Sequence, residues 1–439
     1  MALSAKHLEP TPLHSVGIGP TVDATSILSI HVFLLFCIPA SLIFAPLGAP
    51  GTPAGILAVG CLAWWTVCSV GPELTRFHGL QPIRGAMYVF AAVVLLSYVG
   101  AAVDPPAAVE LRAADRGLIA LLAWCGVTLA AADGLVNVDR LTKLMRAIVL
   151  GGAFVAGLGI IQFATGFDIA SYIRVPGLTP NAELAFIGSR STFRRVAGTT
   201  NHPIEFGVVL ALVLPLAMHF AFADASRRKA RDVIAVALIA TAIPMSVSRS
   251  AVLGLAVGWA VVVFAWPRRQ QLTALALVPV FLVAMRLVVP GLLGTIRSLF
   301  VNLFTDPSVT GRTDDYAVLG DFVAHNPWFG RGLYTFLPDR YITLDNQYLL
   351  QLVETGVFGL AALVGLLVTG VCCARGARRR FADDWSRSLA QAVAASIAAS
   401  MVTFVTFDAL AFPMATGMTF LMLGISGALW RMARSSAGW

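Results

Sequence analysis

The chain is built from apolar runs of about 18–20 residues, each long enough for a helix to cross a bilayer core of roughly 30 Å. In lipid the backbone must satisfy its own hydrogen bonds, and continuous apolar runs do so as helices. The runs fall at 26–46, 52–71, 86–103, 117–134, 147–166, 204–223, 232–247, 250–266, 272–289, 346–373, 388–406 and 413–431. They predict an all-α polytopic membrane protein of about 12 transmembrane helices, with a long extracytoplasmic loop between helices 9 and 10. Composition agrees: 12% of the 439 residues are charged and mean hydropathy is +0.80, where a soluble domain carries about 25% charged residues.

A net charge of +8 raises the possibility of a nucleic-acid partner, but the placement of the cations argues against one. Lys6, Arg76, Arg84, Arg140, Lys143, Arg146, the Arg227–Arg231 cluster, Arg268, Arg269, five arginines from Arg375 to Arg387, Arg431 and Arg434 fall at one side of the alternating runs. These are more than half of the 31 cations and include every lysine. Cytoplasmic connections carry such an excess, so both termini are expected inside. The resulting division is a leader at 1–25, a single transmembrane domain at 26–431 with outer loops at 167–203 and 290–345, and a tail at 432–439. No convincing cleavage site follows the first run, which is expected to be a retained helix. All six cysteines lie in or beside apolar runs without metal-ligand spacing, so neither a disulfide framework nor a metal site is expected.

The cations of the two long outer connections are all arginine: Arg174, Arg190, Arg194 and Arg195 in the first, Arg297, Arg312, Arg331 and Arg340 in the second. Arginine's planar fork matches phosphate and carboxylate bidentately. Long translocated loops also escape the positive-inside rule, so a merely solvated basic loop stays open beside a phosphate site. Arg194-Arg195 leads through Gly198 and His202 into a span that starts at Pro203, where headgroup snorkelling is the plainer reading. His202 alone is more often structural, and Glu205 suits the dipole of its helix. Arg249, in Ser246-Val247-Ser248-Arg249-Ser250, is costly between two apolar spans unless it faces a polar cavity or snorkels. In the second loop, Asp345 or Asn346 would cap the next span. A carboxylate there among several arginines stays ionised, which also suits a general base. Glu354-Thr355-Gly356 is expected to serve mainly packing.

Taken together, these pieces resemble the O-antigen ligase and Wzy-type O-antigen polymerase superfamily over about residues 145–370. The matching elements are a G-x-x-x-[NH]-P-like start to a span (Gly198 to Pro203), Ser248-Arg249 at an outer turn and Gly311-Arg312. A P-x-x-G-x-G segment (Pro327 to Gly332) and an x-N-x-Y-L-x-x-x-x-E-x-G-x-x-G run (Asp345 to Gly359) complete the pattern. The resemblance implies an inverting, membrane-embedded glycosyltransferase of the GT-C type. Its donor would be a polyprenyl (undecaprenyl) diphosphate-linked glycan at the outer face of the bacterial cytoplasmic membrane, with no nucleotide sugar, cofactor or metal. Its partners would be that donor, membrane lipids and a glycan, lipid or protein acceptor, with no nucleic acid. Arg194, Arg195 and Arg249 are implied as diphosphate ligands and Arg312 as a further contact, with Asn346, His202 and Arg331 completing the substrate-binding set. The family's base is typically a His just before the Asn; Asp345 stands there in this chain, passing the role to a carboxylate, with His325 as the substitute.

The chemistry is coherent on its own terms: fixed positive charge for a diphosphate leaving group, and a proton acceptor within reach of an attacking hydroxyl. A transporter or flippase for lipid-linked glycans would need the arginines but no base, and would place ionisable groups within spans at a repeat interface. No repeat is evident, and the ionisable groups assigned to spans are chiefly Arg286 and Asp408. A catalytically inactive binding scaffold is the third reading. Ligase and polymerase are not separable at this level.

Overall fold

The computed structural model describes residues 23–70, 79–103, 107–181, 189–190, 193–223, 229–301 and 319–435. Its longer helices are α1 (Ala24–Cys37), α2 (Pro53–Val70), α3 (Pro82–Val103), α4 (Ala108–Gly134), α5 (Val138–Thr165), α6 (Pro203–Phe222), α7 (Ala230–Met245), α8 (Arg249–Val263), α9 (Arg268–Val288), α10 (Leu292–Val301), α11 (Gln347–Arg380), α12 (Asp384–Thr403) and α13 (Pro413–Ser435). Eight of them, α2 to α6, α9, α11 and α13, are long and apolar enough to cross a membrane. The chain is thus an all-α, multi-pass membrane protein. Its strands are two-residue pieces; β1 (Leu42–Ile43) pairs antiparallel with β2 (Thr179–Pro180).

The burial pattern separates a protein-facing interior from a lipid-facing rim. α6 is buried almost all round, and packs against α7, α8 and α12. α9 instead exposes Leu275, Val280, Leu282, Val283 and Leu287, an apolar face too large for water but at ease in hydrocarbon.

Several sequence expectations need correction. The first helix ends at Cys37 rather than 46, because Pro39 follows and the chain turns into β1. A short helix, α10, stands inside the stretch assigned to the second outer loop. Asp408, assigned to a span, lies in the connection between α12 and α13. α4 begins at Ala108, earlier than expected, and Asp133 at its far end is satisfied by Arg84 at 3.3 Å and by the Trp65 indole N–H at 3.0 Å.

Two devices fix the end of the bundle that carries the long connections. The first is Glu205, which is fully buried. One carboxylate oxygen accepts from Asn201 N at 2.8 Å, and the other from Met414 N and Ala415 N at 2.7 and 3.1 Å. One side chain therefore satisfies donors at the starts of both α6 and α13, where free N–H groups and helix dipoles favour negative charge.

The second device explains the spacing of the glycines. α11 breaks at Gly356 (φ 68°, ψ −171°), and the segment 327–332 supplies the partners that the break releases. Val357 N and Phe358 N donate to Pro327 O and Trp328 O, while Gly332 N donates to Glu354 O. A β-carbon on Gly356 would strike the backbone of Trp328, and one on Gly330 (φ 67°) the backbone of Glu354 and Thr355. Irregular backbone within a membrane protein persists only where protein covers it in this way. Gly356→Ala combines a left-handed strain with a backbone collision. It is expected to cost about 3 kcal/mol or more, seen as a lowered midpoint in thermal unfolding of the detergent-solubilised protein.

Candidate functional site

Three stretches that are far apart in sequence converge on the short connection 404–412. The first is 195–202. Gln162 of α5 accepts from Ala197 N and Gly198 N at 3.1 and 3.0 Å, and Thr199 donates to Phe36 O at 2.8 Å. So anchored, the segment delivers Arg195 to the α7–α8 turn, where its Nε donates to Ser246 O at 3.2 Å. His202 caps α6, and its ring lies 6.0 Å from that of Phe412.

The second is the α7–α8 turn itself. Val247 adopts φ 47°, a left-handed conformation that is a genuine outlier for a β-branched residue. Ser248 caps α8, and Ser250 Oγ donates to Thr406 O at 3.4 Å. Arg249 is thus the first residue of a helix, where the dipole already contributes positive charge. Cation on helix N-terminus is unfavourable by itself and concentrates positive potential for an anion.

The third is the start of α11. Asn346 takes the capping role, accepting from Tyr348 N and Leu349 N at 3.0 and 3.3 Å, and leaves Asp345, half-buried, out of the cap. Gln347 N donates to Phe404 O and Phe407 O at 2.9 and 3.1 Å, and Gln347 Oε1 accepts from Leu410 N at 2.8 Å. Tyr334 adds its hydroxyl to Leu410 O at 2.6 Å.

The charges interact as this convergence requires. Burial, and then the positive charge of Arg195, hold His202 down at about 4 against the opposing effect of Asp345. His202 is therefore neutral at pH 7. Its Nδ1 accepts from Ile204 N at 3.1 Å, which places the ring proton on Nε2. The ring can donate but has no free lone pair with which to act as a base. Burial, and then the charge of Asp345, raise Asp408 to about 7.

Asp408 is the residue that sequence reasoning missed. A lone carboxylate in the aromatic turn Phe404–Phe412 was the available signal, obscured by counting it among the span residues. Its raised folded-state pKa means that folding favours its protonated form. The resulting stability is present below about pH 4 and lost as pH rises through about 7. Asp408→Asn should abolish this dependence, gaining about 1–2 kcal/mol over wild type at pH 8 once solvent screening is allowed for. Paired melting curves at pH 5 and pH 8 read the difference directly.

The remaining predicted site residues lie elsewhere. His325 and Arg331 line a separate hollow of about 790 Å³ beside the end of α3, whose lining includes none of Arg195, Arg249 and Asp345. There Arg331 forms an ion pair with buried Glu110 at 2.9 Å, donates to Tyr341 at 2.8 Å and lies over the Phe322 and Tyr341 rings. Arg312 lies outside the described residues. The backbone of Arg194 belongs to the two-residue strand Phe193–Arg194, and its side chain lies outside what is described.

The fold and these contacts define a multi-pass α-helical membrane protein with a polar site at one end of its bundle. Residues 234–364 match the family model described as O-antigen ligase. The match covers α8 with Arg249 and the start of α11 with Asp345, but not Arg195, His202 or Asp408. A search of curated proteins found no significant match.

Proposed function

We propose that the protein is an inverting glycosyltransferase that moves a glycan from an undecaprenyl diphosphate carrier to an acceptor hydroxyl. The reaction would take place at the outer face of the bacterial cytoplasmic membrane, with both termini inside and all twelve apolar segments counted as spans. The observation that carries this reading is the convergence of the Arg195 segment, the Arg249 helix start and Asp345 on the 404–412 connection, within and beside the family match.

In this mechanism Arg195 and Arg249, with Arg194 and Arg312 as further contacts, hold the diphosphate. Charge grows on that leaving group in the transition state, and guanidinium groups meet it without gaining or losing a proton. Asp345 accepts the proton of the attacking hydroxyl, while Asn346 holds the helix start that aims it. His202, fixed as an Nε2–H donor, hydrogen-bonds to the carboxylate or to the diphosphate. Attack from the side opposite the leaving group inverts the anomeric carbon.

The test is to incubate the purified protein in nanodiscs with labelled lipid-linked oligosaccharide and candidate acceptors. Label should pass to an acceptor as undecaprenyl diphosphate is released. Translocation of the intact lipid across vesicles without cleavage would establish the transporter reading instead, and binding without turnover the inactive scaffold.

A further inference from the structure

A cavity of about 530 Å³ lies between α1, α2 and α4 on one side and Tyr334, Glu354 and Asp408 on the other. It adjoins the proposed reaction centre, since Asp408 follows Phe407, whose carbonyl accepts from the residue two after Asp345. Two buried side chains on its wall, His31 at 2% exposure and Glu354 at 1%, each present an atom without a hydrogen-bond partner among the described residues, His31 Nε2 and Glu354 Oε2.

His31 Nε2 is an acceptor, and Glu354 Oε2 is a carboxyl oxygen that accepts when ionised and donates when protonated. His31 Nδ1 lies 3.1 Å from Ala54 O; a carbonyl only accepts, so Nδ1 carries the proton and the neutral ring turns a lone pair out on Nε2. Glu354 Oε1 accepts from Phe336 N at 3.3 Å, leaving Oε2. Buried acceptors left unmet are costly and mark where donors belong. A lipid tail brings no donor. A sugar ring brings hydroxyls around its rim and apolar C–H faces, and the lining also offers Trp124 and the alanines of α2 and α4.

We propose that this cavity is a glycan subsite that takes a hydroxyl-bearing sugar ring, one hydroxyl donating to His31 Nε2 and another hydrogen-bonding with Glu354 Oε2. The proposal rests on the glycosyltransferase reading. It also gives the N-terminal third, outside the family match, the task of selecting the sugar. The ring belongs either to the donor glycan or to the acceptor.

Full-length protein in nanodiscs is titrated with undecaprenyl diphosphate, with the same carrier bearing its oligosaccharide, and with the acceptor that takes up label in the transfer assay. His31→Leu and Glu354→Gln should each weaken one sugar-bearing partner about five- to tenfold and leave bare carrier affinity unchanged. His31→Gln, which keeps an acceptor oxygen, should recover most of the loss. Weakened binding of the oligosaccharide lipid assigns the ring to the donor; a raised acceptor KM with unchanged donor affinity assigns it to the acceptor. Unaltered sugar binding in both variants overturns the proposal, as does lipid-tail density filling the cavity in a cryo-EM map. Loss of bare carrier affinity together with a lowered melting temperature makes the two residues structural and overturns it as well. The parent reading fails separately, if wild-type protein has no affinity for undecaprenyl diphosphate.

Discussion

Asp345→Asn is expected to lower glycan transfer by about 100- to 10,000-fold, with affinity for the lipid-linked donor held within a few-fold. The substitution keeps the shape of the side chain. It cannot disturb the cap of α11, because Asn346 makes both capping hydrogen bonds. What it removes is the ability to take a proton. Neither nearby histidine offers a replacement: His202 has its only lone pair on Ile204 N, and His325 lines a different hollow. Asp345→His, which restores the residue that the family resemblance expects at this position, should retain part of the activity. A transporter would tolerate both changes. Single-turnover measurements separate these outcomes, since they read chemistry apart from product release. If Asp345→Asn turns over normally while His325→Gln does not, the base lies in the other hollow and the site must be redrawn.

Much of the fold was legible in the sequence because bilayer-length apolar runs leave the backbone almost no alternative to helix. What was not legible depended on contacts between distant segments. Pro39 and the pairing of Leu42–Ile43 with Thr179–Pro180 shorten the first helix, and periodicity cannot register a partner more than a hundred residues away. The glycines of 327–332 and Gly356 were visible as a pattern, but only their interlock shows why they are spaced so. Arg195, Arg249 and Asp345 stood out in the sequence as candidates by chemistry and motif. The 404–412 connection that gathers them did not, because it is held largely through backbone groups that carry no sequence signature. Asp408 was seen and misplaced, and Arg331 was seen without Glu110, its ion-pair partner 221 residues away.

Arg249→Ala should lower turnover by about 100- to 1,000-fold, the loss typical of removing one group that stabilises developing negative charge. It should do so without destabilising the protein. An arginine at the first position of α8 opposes the helix dipole, so its removal is expected to leave the melting temperature unchanged or to raise stability by about 0.3–1 kcal/mol. Val247, in its left-handed conformation two residues earlier in the chain, adds local strain of about 1–3 kcal/mol. Arg249→Lys keeps the charge but not the two-pronged geometry, and should restore carrier binding more fully than turnover. The opposed signs for activity and stability are the diagnostic, read from undecaprenyl diphosphate titrations and melting curves on the same samples. A variant that melts early yet transfers glycan normally would make Arg249 a structural cation and remove the centre of the proposed diphosphate site.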